Sequence, residues 1–261
     1  MNKLKTKALL LAMPFMLGFV IFYKIPYVSV FYYSFTSKTA PTVFVLSDNF
    51  ADVLQNEYYL LALKNTSIFT LISIPLLLIL SYILSNVIYS QKYIYKALLF
   101  VPILIPSASI AVIWNDIFST TSAIPFYIMF IWKNIGLITL IITGGLTRIP
   151  SEVYDAAAID GVNILEKHKY IVLPYLSPVL FFCFLIGLIQ SFKIFREVYL
   201  TYNAYPPQDL YMIGHYIFNK FGKLDYAELS AGTIIFSVAI IILLLVLCLF
   251  GKRIFFRGRK R

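Results

Sequence analysis

Long apolar runs alternate along this chain with short polar segments. A helix needs about 20 apolar residues to cross a hydrocarbon layer of about 30 Å, and a helical backbone satisfies its own hydrogen bonds there. The pattern therefore predicts an all-α polytopic membrane protein with six transmembrane helices. We place these helices at Ala8–Phe35, Leu60–Tyr89, Ala97–Phe118, Ile124–Leu146, Leu176–Phe195 and Leu229–Gly251.

Basic residues gather at one end of the predicted helices, and cytoplasmic loops are enriched in Lys and Arg. Both termini are therefore predicted to be cytoplasmic. The opposite side then carries two loops, one around Asp48 to Glu57 and one from Arg196 to Glu228. Most of the 22 lysines and arginines lie on the predicted cytoplasmic side: Lys3, Lys5, Lys7, Lys92, Lys96, Arg148, Lys167, Lys169, Lys252, Arg253, Arg257, Arg259, Lys260 and Arg261.

Composition agrees with a membrane protein. The chain has 261 residues, of which 60% are hydrophobic and only 13% are charged, which is more apolar side chain than a soluble core of this size hides. The formal net charge of +10 does not indicate nucleic-acid binding, because the basic residues form no stripe with stacking aromatics. Cys183 and Cys248 fall in apolar runs, so we interpret them as small buried hydrophobic residues and predict no metal site.

A polar segment between the fourth and fifth helices predicts a helix-turn-helix. Ser151 is expected to cap a first helix, on which Glu152, Asp155, Ala156 and Ile159 share one face by their three- and four-residue spacing. Gly161 allows the chain to reverse. A capping box is then expected to open a second helix, which Pro174 ends near the membrane; the box is formed by Asn163 and Glu166.

This segment closely resembles the cytoplasmic coupling loop, or EAA loop, of permease subunits in binding-protein-dependent ABC importers. The resemblance rests on Asp155-Ala156-Ala157-Ala158-Ile159-Asp160-Gly161, followed later by Ile171-Val172-Leu173-Pro174. Asp155 stands where the family usually has Glu, and His168 stands where an aromatic residue is usual, so His168 is expected to pack facing the partner. The resemblance implies contact with an ATPase through Glu152, Asp155, Ala156, Ala157, Ile159, Asp160 and Gly161.

Short signatures elsewhere are similar to the carbohydrate-uptake group of these permeases, which includes maltose- and glycerol-phosphate-type permeases. The resemblance implies an N-terminal helix and outer loop over 1–59, a permease core over 60–255 with its coupling loop at about 148–175, and a basic tail over 256–261. Two departures from the family are a short link, Ser119 to Ala123, and Tyr202 to Pro207 in place of Gly-Gly-Pro. The signatures include Lys64-Asn65-Thr66, Phe100-Val101-Pro102, Ile149-Pro150 and Phe192-Lys193-Ile194-Phe195.

The resemblance also implies partners and a location. These are a second homologous permease, two cytoplasmic ATPase subunits, an extracellular solute-binding protein and a sugar substrate, in the lipid of a bacterial or archaeal plasma membrane. The chain has no phosphate-binding G-x-x-x-x-G-K-[ST] motif, so ATP and magnesium are expected on the ATPase, with no cofactor and no catalysis on this chain. The alternatives are a secondary transporter or channel, a membrane-embedded enzyme, and a permease for glycerol phosphate, polyamines or another solute.

Polar residues inside the apolar segments suggest a substrate path. An ionisable residue within the membrane usually faces protein or water, which places Trp114, Asn115, Lys133 and Asn134 along a translocation route. The alternative interpretation needs no ligand and accounts for the spacing more simply. In it, the lysines within the apolar segments extend their amines to the outer interface; they are Lys24, Lys133 and Lys193.

Overall fold

The computed structural model describes residues 2–40, 42–118 and 122–255. This part of the chain is helical and has no β-sheet, which confirms the all-α fold. The predicted basic tail 256–261 and residues 119–121 of the short link lie outside the described residues. The α-helices are α1 (Asn2–Phe19), α2 (Ile25–Ser34), α3 (Asp48–Gln55), α4 (Glu57–Ile88), α5 (Tyr93–Leu98), α6 (Val101–Leu104), α7 (Ser107–Phe118), α8 (Ile124–Leu146), α9 (Ser151–Ile159), α10 (Ile164–Lys167), α11 (Leu173–Lys193), α12 (Phe195–Tyr202), α13 (Ile213–Gly222) and α14 (Tyr226–Phe255).

Five helical segments in the described residues are long and apolar enough to cross a membrane. The number rises to six if the broken pair Tyr93–Leu104 and Ser107–Phe118, whose halves meet at 87°, counts as one span. The polytopic fold is thereby confirmed, and both termini remain predicted to be cytoplasmic. The five continuous segments are Leu10–Ser34, Glu57–Ile88, Ile124–Leu146, Ile164–Tyr202 and Tyr226–Leu249.

The third predicted span, Ala97–Phe118, is not one continuous helix. Ile105 adopts extended backbone, with φ −72° and ψ 129°, because the ring of the following Pro106 disfavours helical backbone before it. The chain therefore turns sharply between α6 and α7. Sequence periodicity does not reveal this bend, since both halves are apolar.

The prediction that Pro174 ends the second helix of the helix-turn-helix segment is wrong. Helical structure runs from Ile164 to Tyr202 and is interrupted only by a turn at Ile194. A π-helical turn, His168–Val172, precedes the proline, and the Leu173 N–H donates to the His168 carbonyl five residues back. This wider turn lets the helix continue through a residue that has no N–H of its own.

The described residues form two compact units, one made by residues up to Leu60 with Tyr216–Leu244 and one made by Leu61–His215 with residues from Leu245 onward. In the first unit, the buried Glu228 carboxylate binds the amines of Lys38 and Lys220 and accepts a 3.1 Å hydrogen bond from the Tyr216 hydroxyl. Burial lowers the pKa of Lys38, but the nearby carboxylates outweigh this effect and raise it. The sequence-based division at residue 60 rests on resemblance and stays a prediction.

In the second unit, α8 packs along α11. The core between these helices and α4 is apolar and includes Leu77, Phe130, Ile138, Ile142, Leu176 and Cys183. Two glycines of α8 behave differently. Gly136 is buried beneath the backbone of Leu99, whereas Gly144 has no atom from beyond its own stretch of helix within 4 Å of the point where a β-carbon would stand.

We expect Gly136→Ala to destabilise the protein by about 1–3 kcal/mol, the usual cost of overpacking. Its new methyl group would meet the carbonyl oxygen of Leu99, and backbone atoms move less easily than side chains. Thermal unfolding of the purified protein in detergent measures the effect. Gly144→Ala is the matched control and should be neutral or slightly stabilising, since alanine is the better helix former. Equal stability of the two variants would contradict the close approach.

Candidate functional site

The predicted helix-turn-helix is present as α9, a turn and α10. The turn is a Schellman motif, in which the Val162 N–H donates to the Ala157 carbonyl at 3.1 Å and the Gly161 N–H donates to the Ala158 carbonyl at 3.2 Å. Gly161 has φ +68°, a left-handed conformation that favours glycine. The reversal predicted at this position is therefore confirmed.

The two helix starts differ in how they match the prediction. The capping box is confirmed, because Asn163 Oδ1 accepts from the Glu166 N–H at 2.9 Å and Glu166 Oε2 accepts from the Asn163 N–H at 3.2 Å. The cap predicted for Ser151 is wrong. Pro150 occupies the cap position with φ −59° and ψ 142°, and this extended backbone already provides the non-helical residue that a helix start requires.

One face of α9 is exposed on this chain. Glu152, Asp155, Ala156 and Ile159 all lie on it, and the side chain of Ile159 is 86% exposed. Asp160 and Gly161 are exposed at the turn, whereas Ala157 is buried at 6% exposure and packs inward. Of the predicted contact residues, all but Ala157 are thus accessible to another protein. Just beyond the turn, Ile164 and Leu165 are 75% and 82% exposed and extend the apolar surface.

The opposite side of this loop is attached to the rest of the second unit. Val153 and Tyr154 pack against the apolar core, and burial raises the pKa of the Tyr154 hydroxyl. The Lys167 amine lies 4.5 Å from the centre of the Tyr154 ring, an attractive cation–π arrangement. The loop therefore has one side anchored on this chain and one side free to bind a partner.

His168 lies on the anchored side. Its Nδ1 is 2.5 Å from the hydroxyl oxygen of Tyr82 on α4, at hydrogen-bond distance, and its ring contacts Tyr82 edge to face. The sequence-based interpretation of His168 as a packing residue is correct, but the packing partner is Tyr82. The ring is turned toward α4, and its contact with a partner protein stays a prediction.

A second site lies in a cavity of about 320 Å³ within the second unit. Lys133 on α8 forms an ion pair with the buried Glu197 on α12, with Nζ and Oε1 2.5 Å apart. The Ser107 hydroxyl accepts from Lys133 at 2.9 Å and donates to Glu197 at 2.7 Å. The remaining polar residues on the wall are Asn134, Gln190, Lys193 and Arg196.

The four predicted substrate-path residues divide between two places. Lys133 and Asn134 line the 320 Å³ cavity, whereas Trp114 and Asn115 line a separate space of about 10 Å³. The Trp114 ring stacks on Phe118 at 4.9 Å between centroids and packs on Trp132 at 5.9 Å. These two residues stay candidates for the path, but they do not share a cavity with Lys133.

Snorkelling of Lys133 to an interface is not what the structure shows, because Glu197 holds its amine inside the protein. Glu197 was assigned from the sequence to an outer loop beginning at Arg196, and this boundary is wrong, since α12 runs to Tyr202. One sequence signal could have identified Glu197. A lysine within an apolar helix requires a counter-charge, and Glu197 is the carboxylate nearest in sequence to the end of the fifth apolar run.

Membrane-length helices, an accessible helix-turn-helix and a charged cavity among the helices together define a multi-pass membrane transport subunit. The chain matches the family of binding-protein-dependent transport system inner membrane components over residues 8–259 and belongs to that family. The resemblance stated from the coupling-loop residues is thereby confirmed, and the chain is a permease subunit of a binding-protein-dependent importer.

Individual relatives agree with this assignment. The arabinooligosaccharides transport system permease protein AraP of Bacillus subtilis (strain 168) is 29% identical over a 274-residue alignment that covers 93% of this chain and 86% of AraP. The sn-glycerol-3-phosphate transport system permease protein UgpA of Yersinia pestis is 27% identical, with 76% and 77% of the two chains covered. A crystal structure of a bacterial ABC transporter involved in the import of the acidic polysaccharide alginate has the same fold, with TM-score 0.75, 22% identity, and 97% and 98% of the chains covered.

Proposed function

We propose that this chain carries a sugar or oligosaccharide across a bacterial or archaeal plasma membrane as the permease subunit of an ABC importer. The observation that carries the proposal is the exposed face of α9 beside the Schellman turn at Gly161, a surface shaped to bind another protein. The name of the relative AraP supports an oligosaccharide as the solute. The name of UgpA keeps glycerol phosphate as the second candidate.

The proposed assembly contains a second, homologous permease, two cytoplasmic ATPase subunits and an extracellular solute-binding protein. In this assembly the exposed face of α9 inserts into a groove on one ATPase. The small side chain of Ala156 permits close approach, and the carboxylates of Glu152 and Asp155 attract basic partners. ATP and magnesium belong to the ATPase, and this chain binds no cofactor and catalyses no reaction.

A secondary transporter is the less favoured function. Such a protein couples transport to ions through intramembrane carboxylates. Glu197, a buried carboxylate in the fifth span, is instead paired with Lys133 and Ser107. Membership of a binding-protein-dependent family also favours energy supplied by a partner ATPase.

Uptake by a deletion strain tests the proposed function. Cells that lack this chain should lose accumulation of at least one labelled carbohydrate from a panel of neutral, acidic and phosphorylated sugars. Accumulation should return with the wild-type chain, and it should not return when the partner ATPase carries a mutated phosphate-binding lysine. Complementation that does not depend on ATP hydrolysis would contradict an ABC importer and favour a secondary transporter.

Cysteine labelling tests the predicted orientation of the chain. In a background without Cys183 and Cys248, cysteines at Lys92 and Lys169 should be shielded from an impermeant thiol reagent in intact cells, while a cysteine at Asp209 is labelled. All three introduced positions are exposed on this chain, so shielding would report the membrane and not burial. Permeabilised cells are the control, since labelling at all three positions is expected there. Labelling of Lys169 from outside intact cells would reverse the topology.

A further inference from the structure

The walls of the 320 Å³ cavity carry an excess of positive charge. Three cations line it, Lys133, Lys193 and Arg196, and Glu197 is the one carboxylate among the described lining residues. Gln190, Lys193, Ile194 and Glu197 follow three- and four-residue steps along one helical run, so they share the helix face that lines the cavity.

The single carboxylate is already occupied. Glu197 Oε1 accepts from both Lys133 and Ser107, and its side chain is only 5% exposed while that of Lys133 is 17% exposed. This buried pair neutralises itself. Lys193 and Arg196 are exposed and line the cavity, and neither has a carboxylate within ion-pair distance in the part of the chain that the structure describes.

Uncompensated cations in such a cavity select a ligand by the sign of its charge. The low-dielectric walls of a membrane protein strengthen charge interactions, and Lys or Arg side chains on a pore wall favour anions. A neutral sugar would leave both cations without a counter-charge. A cavity of about 320 Å³ also lies within the range of small-molecule sites, roughly 300–1,000 Å³.

We propose that this cavity takes an anionic sugar, whose carboxylate or phosphate group binds Lys193 and Arg196 while Gln190 bonds to its hydroxyl groups. The inference rests on the proposed function, because it names the class of sugar that the permease carries. The Lys133–Glu197 pair is not a ligand group in this arrangement. It supports the wall from which the two free cations project.

Thiol chemistry measures the sign of the cavity potential without requiring transport. A cysteine replaces Gln190 in the full transporter lacking Cys183 and Cys248, and it is modified by anionic sulfonatoethyl or cationic trimethylammonioethyl methanethiosulfonate. For each thiol, the rate with the anionic reagent is divided by the rate with the cationic reagent. We expect this ratio to be roughly tenfold higher for the cavity cysteine than for a small thiol in solution, which is the effect of two nearby cations at intermediate dielectric. Adding Lys193→Gln and Arg196→Gln should remove most of this preference.

The single variants Lys193→Met and Arg196→Met keep the apolar part of each side chain. They keep the test valid if the double variant misfolds. Each should reduce the anionic preference in part while the chain still assembles with its partners. Equal normalised rates for the two reagents in the wild-type background would overturn the inference, whatever sugar is transported. A preference that persists in the double variant would also overturn it, because other groups would then set the potential.

Uptake identifies the anionic group and separates this inference from the proposed function. Three labelled probes are compared: trigalacturonate, glucose 6-phosphate and neutral galactotriose. Uptake of trigalacturonate alone assigns a carboxylate, and uptake of glucose 6-phosphate alone assigns a phosphate. In either case the double variant should take up the transported probe at least tenfold more slowly. Uptake of galactotriose alone overturns the inference and leaves the proposed function intact. If the cavity prefers the anionic reagent but the transporter imports an anion that is not a carbohydrate, the proposed function is overturned instead.

Discussion

Ala156→Trp is expected to abolish ATP-dependent uptake while the chain still inserts in the membrane and pairs with the second permease. Ala156 is exposed on α9, between the carboxylate of Asp155 and the turn at Gly161. A large side chain there would prevent close approach of the ATPase. Overfilling a fitted surface or burying an unpaired charge removes several kcal/mol from association, enough to separate a complex of moderate affinity.

Two further substitutions on α9 and its turn should give the same result for different reasons. Asp155→Lys reverses the charge at the contact. Gly161→Val forces a β-branched residue into a left-handed conformation at φ +68°, which costs about 1–2 kcal/mol and disturbs the turn. The measurements are co-purification of the ATPase and stimulation of ATP hydrolysis by the binding protein. Loss of either one with normal membrane insertion is the expected outcome.

Matched controls separate the contact from general damage. Ala156→Ser keeps a small side chain at the same exposed position, so uptake should be retained. Gly161→Asn should largely retain uptake too, since Asn tolerates left-handed backbone. Full uptake by all three disruptive variants would show that this segment is not a coupling loop, and the proposed contact would be lost.

Glu197→Gln is expected to destabilise the protein by about 3–5 kcal/mol, because it leaves the Lys133 amine, whose side chain is only 17% exposed, without its counter-charge. Lys133→Met should have a similar effect by leaving Glu197 unpaired. The double variant should recover most of the loss, since replacing a buried ion pair by neutral groups of similar volume is often neutral or stabilising. Thermal unfolding of the purified transporter, read as a double-mutant cycle, measures the coupling between the two residues.

Asn134→Ala serves as the comparison within the same cavity. Asn134 Nδ2 donates to the Phe130 carbonyl of its own helix at 2.8 Å, so its removal breaks no ion pair. It should alter the rate or apparent affinity of transport without preventing assembly. If the single variants at Glu197 and Lys133 both show the same thermal unfolding as the wild type, the buried pair is contradicted. Snorkelling would then be the explanation for Lys133.

Local chemistry made much of the helix-turn-helix predictable from the sequence. Gly161 and the capping box of Asn163 and Glu166 act over three or four residues, so their geometry follows from neighbouring residue types. The same reasoning failed at Ser151 and Pro174. In the first case Pro150 already supplies the extended cap position. In the second, a π-helical turn admits a proline that would stop an ordinary α-helix.

The contents of the cavity were less accessible from the sequence. Lys133 and Asn134 are recognisable as polar residues in an apolar run, but the neighbouring sequence does not identify the residues that contact them. Lys193 was noted and assigned to an interface, and Glu197 was placed in a loop. The helical run Ile164–Tyr202 continues past both, and it brings them to the same wall as Lys133.

The sequence by itself determined the all-α polytopic architecture, five of the six spans and the reversal at Gly161. These features depend on the length of apolar runs, which the membrane dictates, and on short-range backbone preferences. Only the tertiary structure decided the burial of Ala157 and the pairing of Lys133 with Glu197. The two paired residues are 64 positions apart, and helix packing, which no local pattern encodes, brings their charges to 2.5 Å.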